Sequence, residues 1–227
     1  MKRLFVLLCL VVVVALPHGA RAQQGVDPFL KAAPAGPPES GLSLALSIGY
    51  AVPMGSIDGS AKVSDFFSGG LPLQVDIGWR FTPNLYLGAF FEYSFAFLNS
   101  TVSSGCSATP GVSCSGSNIQ FGVDFVYTFM PYAKFAPYVG LGVGWEFASL
   151  SASASNVSQS LTLSGFQFAR IIVGGDFRVG SAFRVGPFVN FSLGQYGSVS
   201  YTGLNLTLGD KTLHEWFQFG VKGTVDL

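Results

Sequence analysis

Charged residues are scarce in this chain. They make up 11% of the 227 residues, against about 25% in an ordinary soluble domain. An ordinary soluble enzyme is therefore disfavoured, because so few charges leave too little polar surface to face water. The 12 basic and 12 acidic residues balance and form no basic cluster, which argues against a nucleic-acid-binding protein. A disordered chain is excluded because disordered segments are polar and charged, whereas 49% of this chain is hydrophobic.

Long apolar runs are also missing beyond the N-terminus. After residue 22, no segment approaches the ~18–20 apolar residues that a transmembrane helix needs. The apolar run over 4–16 is too short to span a bilayer; it follows Lys2 and Arg3 and precedes a small-x-small site at 20–22. This pattern is typical of a cleavable secretory signal. It predicts a signal peptide over residues 1–22 and favours that reading over an N-terminal membrane anchor.

Export has two consequences for the mature chain. Cleavage after Ala22 removes three bases (Lys2, Arg3 and Arg21) and no acid, so the net charge changes from +0 to −3. Residues 23–40 then carry four prolines, a composition that favours an extended linker over packed structure. We interpret this segment as a Pro-rich lead-in on the periplasmic side of a bacterial envelope protein.

From Gly41 onward, apolar side chains recur at every second position. This is the period of a β-strand with two different faces. Segments of this kind are 9–13 residues long, and a tilted strand needs about 9–11 residues to cross a bilayer. They lie at 42–52, 71–81, 85–97, 119–129, 139–147, 171–179, 183–193 and 217–227. The even count is typical of bacterial single-chain barrels. Residues 41–227 are therefore predicted to form an all-β fold, a transmembrane eight-stranded antiparallel up-and-down β-barrel.

The sixth segment breaks the alternation, because Phe168 and Ile172 fall on its polar face. A register shift of one residue or a β-bulge would explain both positions.

The predicted connections alternate in length. Short ones lie at 82–84, 130–135 and 180–182, and long ones at 53–70, 98–117, 148–165 and 195–213. Outer-membrane barrels have short periplasmic turns and long extracellular loops. A soluble sandwich or a lipocalin-like barrel would show similar strands. However, the less apolar face is mostly Gly, Ala and Ser, which suits the cramped interior of a small barrel rather than a wet exterior.

Aromatic side chains near the strand ends predict the two membrane interfaces, because such girdles flank the lipid-facing band of outer-membrane barrels. The periplasmic girdle is Trp79 and Phe81; the outer girdle is Phe95, Phe97, Trp145 and Phe147. These residues predict insertion in outer-membrane lipid, and hence a location in the bacterial outer membrane.

Over about 41–227 the sequence resembles the small outer-membrane β-barrel proteins, the group that includes OmpX, OmpW and the transmembrane part of OmpA. The resemblance rests on the strand pattern and on the closing strand at 215–227. It implies insertion by the barrel-assembly machinery, which in this family reads an aromatic last residue. Leu227 departs from that pattern, so we expect less efficient assembly.

The inward positions carry as many acids as bases. A narrow, poorly hydrated lumen requires such a balance, since an unpaired buried charge costs several kcal/mol. The predicted lumen charge network is Asp76, Glu92, Asp124, Glu146 and Asp176 with Arg80, Arg170, Arg178, Arg184 and Lys222. The leading interpretation is a salt-bridged interior that closes the barrel. A narrow polar pore stays open as the alternative, because the many inward glycines reduce side-chain bulk.

One prediction about pairing follows from the turn at 180–182. It sets Arg178 opposite Arg184, and like charges in direct opposition are destabilising. An acidic partner is therefore expected, and Asp176 or Asp226 is the candidate.

An enzyme is disfavoured. The mature chain has one histidine, His214, beside Glu215, and a lone histidine near a membrane interface is most often a surface residue. No nucleophile and base stand at an interpretable spacing. We therefore expect no catalytic residue, no metal site and no cofactor.

Cys106 and Cys114 are the only cysteines after the signal, with seven residues between them. The oxidising envelope favours a disulfide, which would stabilise the loop by roughly 2–3 kcal/mol. A metal pair is the weaker alternative, because no other soft ligand lies nearby. The loop that holds them is the leading candidate for contact with an extracellular ligand.

The sequence thus predicts a monomeric, non-enzymatic outer-membrane barrel with a structural or surface-interaction role. Its partners are membrane lipid, the assembly machinery and an extracellular ligand of the loops, with no nucleic acid. A narrow porin-like channel for small solutes is the alternative.

Overall fold

The computed structural model describes residues 40–154, 157–180, 182–202, 204–209 and 212–227. The predicted signal peptide (1–22) and all but the last residue of the predicted linker (23–40) lie outside these ranges. The strands are β1 (Gly41–Gly55), β2 (Phe67–Arg80), β3 (Leu85–Leu98), β4 (Val112–Thr128), β5 (Phe135–Ala154), β6 (Val157–Arg178), β7 (Phe183–Tyr201), β8 (Leu204–Thr207) and β9 (Leu213–Asp226). One α-helix, α1 (Ser100–Ser107), follows β3, and a 3-10 turn occupies Val63–Asp65.

Eight of the strands close into a barrel. Neighbours in sequence pair antiparallel from β1 to β7, β7 pairs with β9, and β9 returns to β1. The closing seam runs from Ser43 opposite Asp226 to Gly55 opposite His214. The short β8 pairs with β7 above the point where β9 begins. The predicted eight-stranded antiparallel barrel is confirmed.

Within the described ranges, no helix is long and apolar enough to cross a membrane.

The wall of the barrel turns its apolar side chains outward. Leu46, Ile77 and Leu141 are 63%, 53% and 62% exposed, values that would be unusual for a soluble protein of this size. On β5 the apolar positions run from Phe135 to Phe147. At about 3.3 Å per residue and a tilt of about 40°, this span covers about 30 Å along the axis, the thickness of a hydrocarbon core.

The predicted girdle residues lie on this outer face. Trp79, Phe81, Phe95, Phe97 and Trp145 are exposed. Phe147 is half-buried because its ring stacks on Phe121, with 6.1 Å between the ring centroids.

The predicted long loops are wrong in their extent. The segment 148–165 is mainly a β-hairpin, since β5 runs to Ala154 and β6 starts at Val157. Parts of 53–70, 98–117 and 195–213 are also strand or helix. The reason is physical. Above the outer girdle, the outward positions of β5 are Ser149, Ser151 and Ser153, because water replaces lipid there. Strand ends predicted from apolar side chains therefore stop at the lipid boundary, although the strands continue beyond it.

The short turns lie where they were predicted. They connect β2 to β3, β4 to β5 and β6 to β7, at the end of the barrel that the sequence predicts to face the periplasm.

The irregularity predicted in the sixth strand is a bulge. The register of β6 against β7 shifts between Gln167 and Ala169. Phe168 therefore points outward, at 42% exposed, while Arg170 returns to the lumen at 1%. Ile172 stays inside and packs with Val126 and Phe188.

Candidate functional site

Nine of the ten predicted lumen charges lie inside the barrel wall, and Arg178 lies at its end. Arg178 and Lys222 are half-buried and the other eight are buried. They do not form one continuous network. They separate into an outer layer around Glu146, a central layer around Arg170, and a periplasmic layer around Arg184.

The outer layer consists of four donors around one carboxylate. Glu146 Oε1 accepts hydrogen bonds from Tyr196 Oη at 2.6 Å and from Trp216 Nε1 at 2.7 Å. Its Oε2 accepts from Gln167 Nε2 at 3.1 Å and lies 3.0 Å from His214 Nε2. All five side chains are at most 1% exposed. The layer therefore joins side chains of β5, β6, β7 and β9 inside the lumen.

The prediction that His214 is a surface residue is wrong. Its ring stacks on that of Tyr196, with 3.8 Å between centroids and 5° between planes. The register of β9 against β1 turns His214, Trp216 and Gln218 inward together. The sequence indicates this inward orientation, because Trp216 and Gln218 alternate with the outward Phe217 and Phe219. Tyr196 was missed because it fell in a predicted loop.

The outer mouth above this layer is closed by the segment 56–66, which we call the mouth plug. Its Ile57 and Val63 are 5% and 0% exposed and pack with Trp216 and Tyr196 in one apolar cluster. The backbone amides of Ala61 and Ser60 donate to the Asp58 carboxylate and hold its pKa below the ordinary value. The plug is therefore anchored by the burial of Ile57 and Val63, whereas the Asp58 turn is stabilised within itself.

Arg170 forms the central layer. Its NH2 donates to Gln74 Oε1, its Nε lies 3.6 Å from Asp124 Oδ2, and its NH1 lies 4.0 Å from Glu92 Oε2. The guanidinium carbon sits 4.2 Å from the ring centroid of Phe90. A buried arginine is thus held by polar groups on its edges and by an aromatic face.

An amide chain that the sequence interpretation missed continues across the lumen. Gln218 Nε2 donates to Glu92 Oε1 at 2.7 Å, and Asn190 Nδ2 donates to Gln218 Oε1 at 2.9 Å. Inward amides carry no charge, so counting charges gave no reason to single them out.

The periplasmic layer is a set of shared salt bridges. Arg184 lies 3.1 Å from Asp176 and 2.8 Å from Asp226, and Arg80 Nε lies 3.3 Å from Asp226. Arg178 stands opposite Arg184 in the register. Both acids named as candidate partners therefore bind Arg184.

Arg178 itself turns away from this cluster. Its guanidinium donates to the carbonyl of Pro131, in the turn between β4 and β5.

Lys222 stands apart from the salt bridges. Its Nζ lies 4.0 Å from the ring centroid of Tyr138, and no described carboxylate comes within 4.0 Å of it.

Between the central and periplasmic layers is a cavity of about 50 Å³, room for about three or four water molecules. Asp76, Asp124 and Ser47 are among the residues that line it.

The predicted disulfide is present outside the barrel. Cys106 in α1 is bonded to Cys114 in β4, with 6.1 Å between their Cα atoms. The helix begins at an Asn99 cap, whose side chain accepts from the amide of Thr101 at 3.0 Å.

In the described part of the chain, no three His, Cys, Asp or Glu side chains are grouped for a metal ion.

The geometry decides the structural class. A closed wall leaves no sheet edge in hydrocarbon, and an apolar exterior around a polar interior is the arrangement of barrels in outer membranes. This chain is a small outer-membrane-type β-barrel. Its exterior is apolar between two aromatic girdles, and its lumen holds the three polar layers.

Comparisons with known proteins find similarity in solved structures. The crystal structure of Neisserial surface protein A is 12% identical, with a TM-score of 0.48 over 83% of this chain and 97% of that one. OprG from Pseudomonas aeruginosa is 14% identical, with a TM-score of 0.44 over 86% and 98%. AlkL in lipid bilayers is 13% identical, with a TM-score of 0.43 over 93% and 98%. No protein-family model and no curated protein sequence matches the chain.

Proposed function

We propose that this chain is a closed, non-enzymatic barrel of the bacterial outer membrane with a structural or surface-interaction role. The observation that supports this most strongly is the outer layer of the lumen. Four buried side chains bind Glu146, and the mouth plug covers them with apolar groups.

Opening this layer would be costly. A solute that passes Glu146 must displace side chains whose donors would then lack an acceptor, at about 1–3 kcal/mol for each buried group. It must also displace Ile57 and Val63, which are buried in the same apolar cluster. The outer half of the lumen thus resembles a protein core more than a pore.

The extracellular part of the chain supports the surface-interaction role. The β5–β6 hairpin continues for seven residues of β5 beyond Phe147, or about 18 Å at the same rise and tilt. The helix α1 is tied to β4 by the disulfide. Leu204 and Leu206 of β8 are 70% and 63% exposed. These features support the proposal of a stiff, accessible surface above the membrane.

The position of His214 supports a non-enzymatic role. Its Nε2 bonds to Glu146 and its ring is covered by Tyr196. At 1% exposure it is shielded from any lipid or peptide substrate outside the barrel.

A narrow channel is the second candidate, and the cavity between the central and periplasmic layers favours it. Such a channel would require the outer layer to rearrange.

Single-channel recording in a planar bilayer tests the two candidates. The mature chain is refolded, its folded state is verified by a heat-dependent shift on a gel, and a known porin serves as the positive control for insertion. We expect no steady openings. Steady, discrete openings of the wild-type barrel would overturn the closed-barrel proposal. The channel would then be expected to change conductance in Glu92→Gln but not in Asp58→Asn, which alters only the exposed turn.

A further inference from the structure

The wall of the barrel is irregular on one side. The register of β5 against β6 shifts between Gly142 and Gly144. That of β6 against β7 shifts at Ser164–Gly165 and again at Gln167–Ala169. Among the other described pairings, only that of β2 with β3 shifts, where β2 begins. A bulge bends its strand, so the outer face of β5, β6 and β7 is less even than the rest of the wall.

Two grooves lie on this outer face and share Phe168 in their lining. The upper groove, of about 230 Å³, includes Trp145, Gln195 and Gly197 in its lining. It is open at Gly197, where an added Cβ would meet no atom within 4 Å. The lower groove, of about 380 Å³, is bounded by apolar side chains such as Leu141 and Val143. We call the two grooves together the wall furrow.

The depth of the furrow indicates what covers it. Trp145 belongs to the outer aromatic girdle, whereas Leu141 is 62% exposed within the apolar band that faces lipid. The four positions of β5 between them span about 10 Å along the barrel axis. The furrow therefore starts at the membrane interface and continues into the hydrocarbon layer. Its lower groove is continuous with the lipid-facing surface, so the occupant that fits it is a hydrocarbon chain.

The upper groove adds polar groups at the interface. The hydroxyls of Ser164 and Ser198 bond to each other at 2.7 Å. The side-chain amide of Gln195 makes no hydrogen bond to another described side chain, which leaves its two N–H groups free to donate. The described residues that line this groove include no charged one. Phosphates are bound in proteins chiefly by charged donors such as Arg and Lys, so the amide suits a neutral acceptor such as a carbonyl oxygen.

We propose that the wall furrow binds one membrane lipid at a defined position. An acyl chain of the lipid lies in the lower groove, and the carbonyl of its ester or amide linkage accepts a hydrogen bond from Gln195 in the upper groove. Elsewhere the wall contacts lipid without such a furrow. The proposal rests on the membrane location of the barrel and is independent of whether the lumen conducts.

Native mass spectrometry of the refolded mature chain in neutral detergent tests the proposal. The folded state is first verified by the heat-dependent shift on a gel. An ester-linked phosphatidylcholine is then added, and its ether-linked analogue, which lacks the carbonyl oxygens, is added to a parallel sample. We expect a species with one ester lipid bound. The ether lipid should bind about 2–10-fold more weakly, the equivalent of one hydrogen bond.

Three variants locate the bound lipid. Gly197→Leu places a side chain in the upper groove and is expected to abolish the one-lipid species. Ser117→Leu is the matched control, because it adds the same group beside the outward Phe95 on β4, away from the furrow. It is expected to keep the wild-type occupancy. Gln195→Leu removes the amide and is expected to bind the ester lipid as weakly as the ether lipid. If Gly197→Leu does not refold, Gln195→Leu decides the point.

Lipid occupancy that is unchanged in Gly197→Leu would overturn the proposal, because the lipid would then be bound elsewhere on the wall. An equal loss in Ser117→Leu would do the same. Equal binding of the two lipids to the wild-type chain would overturn the role of Gln195. A chain without a heat-dependent shift would fail as a membrane barrel before lipid is added. Steady channel openings would count against the closed lumen alone, so the failures are distinguishable.

Discussion

The two halves of the lumen are closed in different ways. In the outer half, four donors from three strands converge on the single carboxylate of Glu146, under an apolar plug. In the periplasmic half, Arg80, Arg184, Asp176 and Asp226 share their charges beside a cavity. The first arrangement depends on one residue, whereas the second keeps a contact when one member is lost. The difference predicts that a single substitution lowers the stability of the barrel more in the outer half than in the periplasmic half.

Loss of Glu146 should have the largest effect. Glu146→Ala leaves the hydroxyl of Tyr196, the indole N–H of Trp216 and two further donors without their acceptor. Removing one partner from a buried polar cluster costs about 3–5 kcal/mol, or about 6–20 °C in the unfolding midpoint of a chain this long. The measurement is the temperature at which the folded gel band disappears.

Glu146→Gln is the matched control, because its carbonyl oxygen still accepts from Tyr196 and Trp216. We expect less than half the loss seen in Glu146→Ala. Equal losses in the two variants would show that charge, and not the acceptor oxygen, stabilises the outer layer.

Asp226→Asn probes the periplasmic half and should cost less. Arg184 keeps Asp176 at 3.1 Å, and Arg80 keeps the carbonyl of Pro83 at 3.2 Å. The lost charged hydrogen bonds correspond to about 1.5–3 kcal/mol, measured by the same gel assay. A loss as large as that of Glu146→Ala would remove the contrast between the two halves.

A methyl group at Gly142 tests the packing between the halves. A Cβ there would lie 1.9 Å from Asp124 Oδ1 and 2.8 Å from the Val123 carbonyl oxygen, whereas at Gly197, also in a strand, nothing lies within 4 Å. We expect Gly142→Ala to cost about 1–3 kcal/mol and Gly197→Ala to shift the midpoint by less than about 2 °C. If both variants unfold alike, the close approach of Asp124 to β5 is not a constraint on stability.

The smallest effect on the barrel is expected from the disulfide. The helix α1 has no buried residue, so replacing Cys106 and Cys114 by serine should change the barrel midpoint by no more than about 2 °C. The segment around α1 should be cleaved faster by an added protease, because the cross-link limits its open conformations. A large drop in the barrel midpoint would mean that the loop supports the wall.

The sequence predicted the barrel well because each wall position must face either lipid or lumen. The parity that placed Glu146, Arg170 and Asp124 inside follows directly from the strand period. Their partners did not follow from it, since contacts across the lumen depend on barrel shear. Glu146 contacts His214, which lies 68 positions away in the sequence. No local sequence pattern predicts a contact over that separation.

The upper strands were missed for another reason. Alternation continues through Ser149, Ser151 and Ser153, but the exterior there is hydroxyl and not apolar. Tyr196 was lost with them, because it lies where β7 leaves the lipid band. The strand pattern did not predict the mouth plug, because its apolar residues follow no strand period.

The serine-rich exterior has a consequence for recognition. Above the outer girdle, β4 to β7 carry no charged residue, and cross-strand hydroxyls pair with each other, as Ser149 does with Thr162 at 3.0 Å. At physiological ionic strength, salt largely screens exposed charges that lie more than about 8–10 Å apart, and this part of the sheet has none to screen. A partner that docks on it would bind by shape and hydrogen bonding, with an affinity that changes little between fresh water and a saline host.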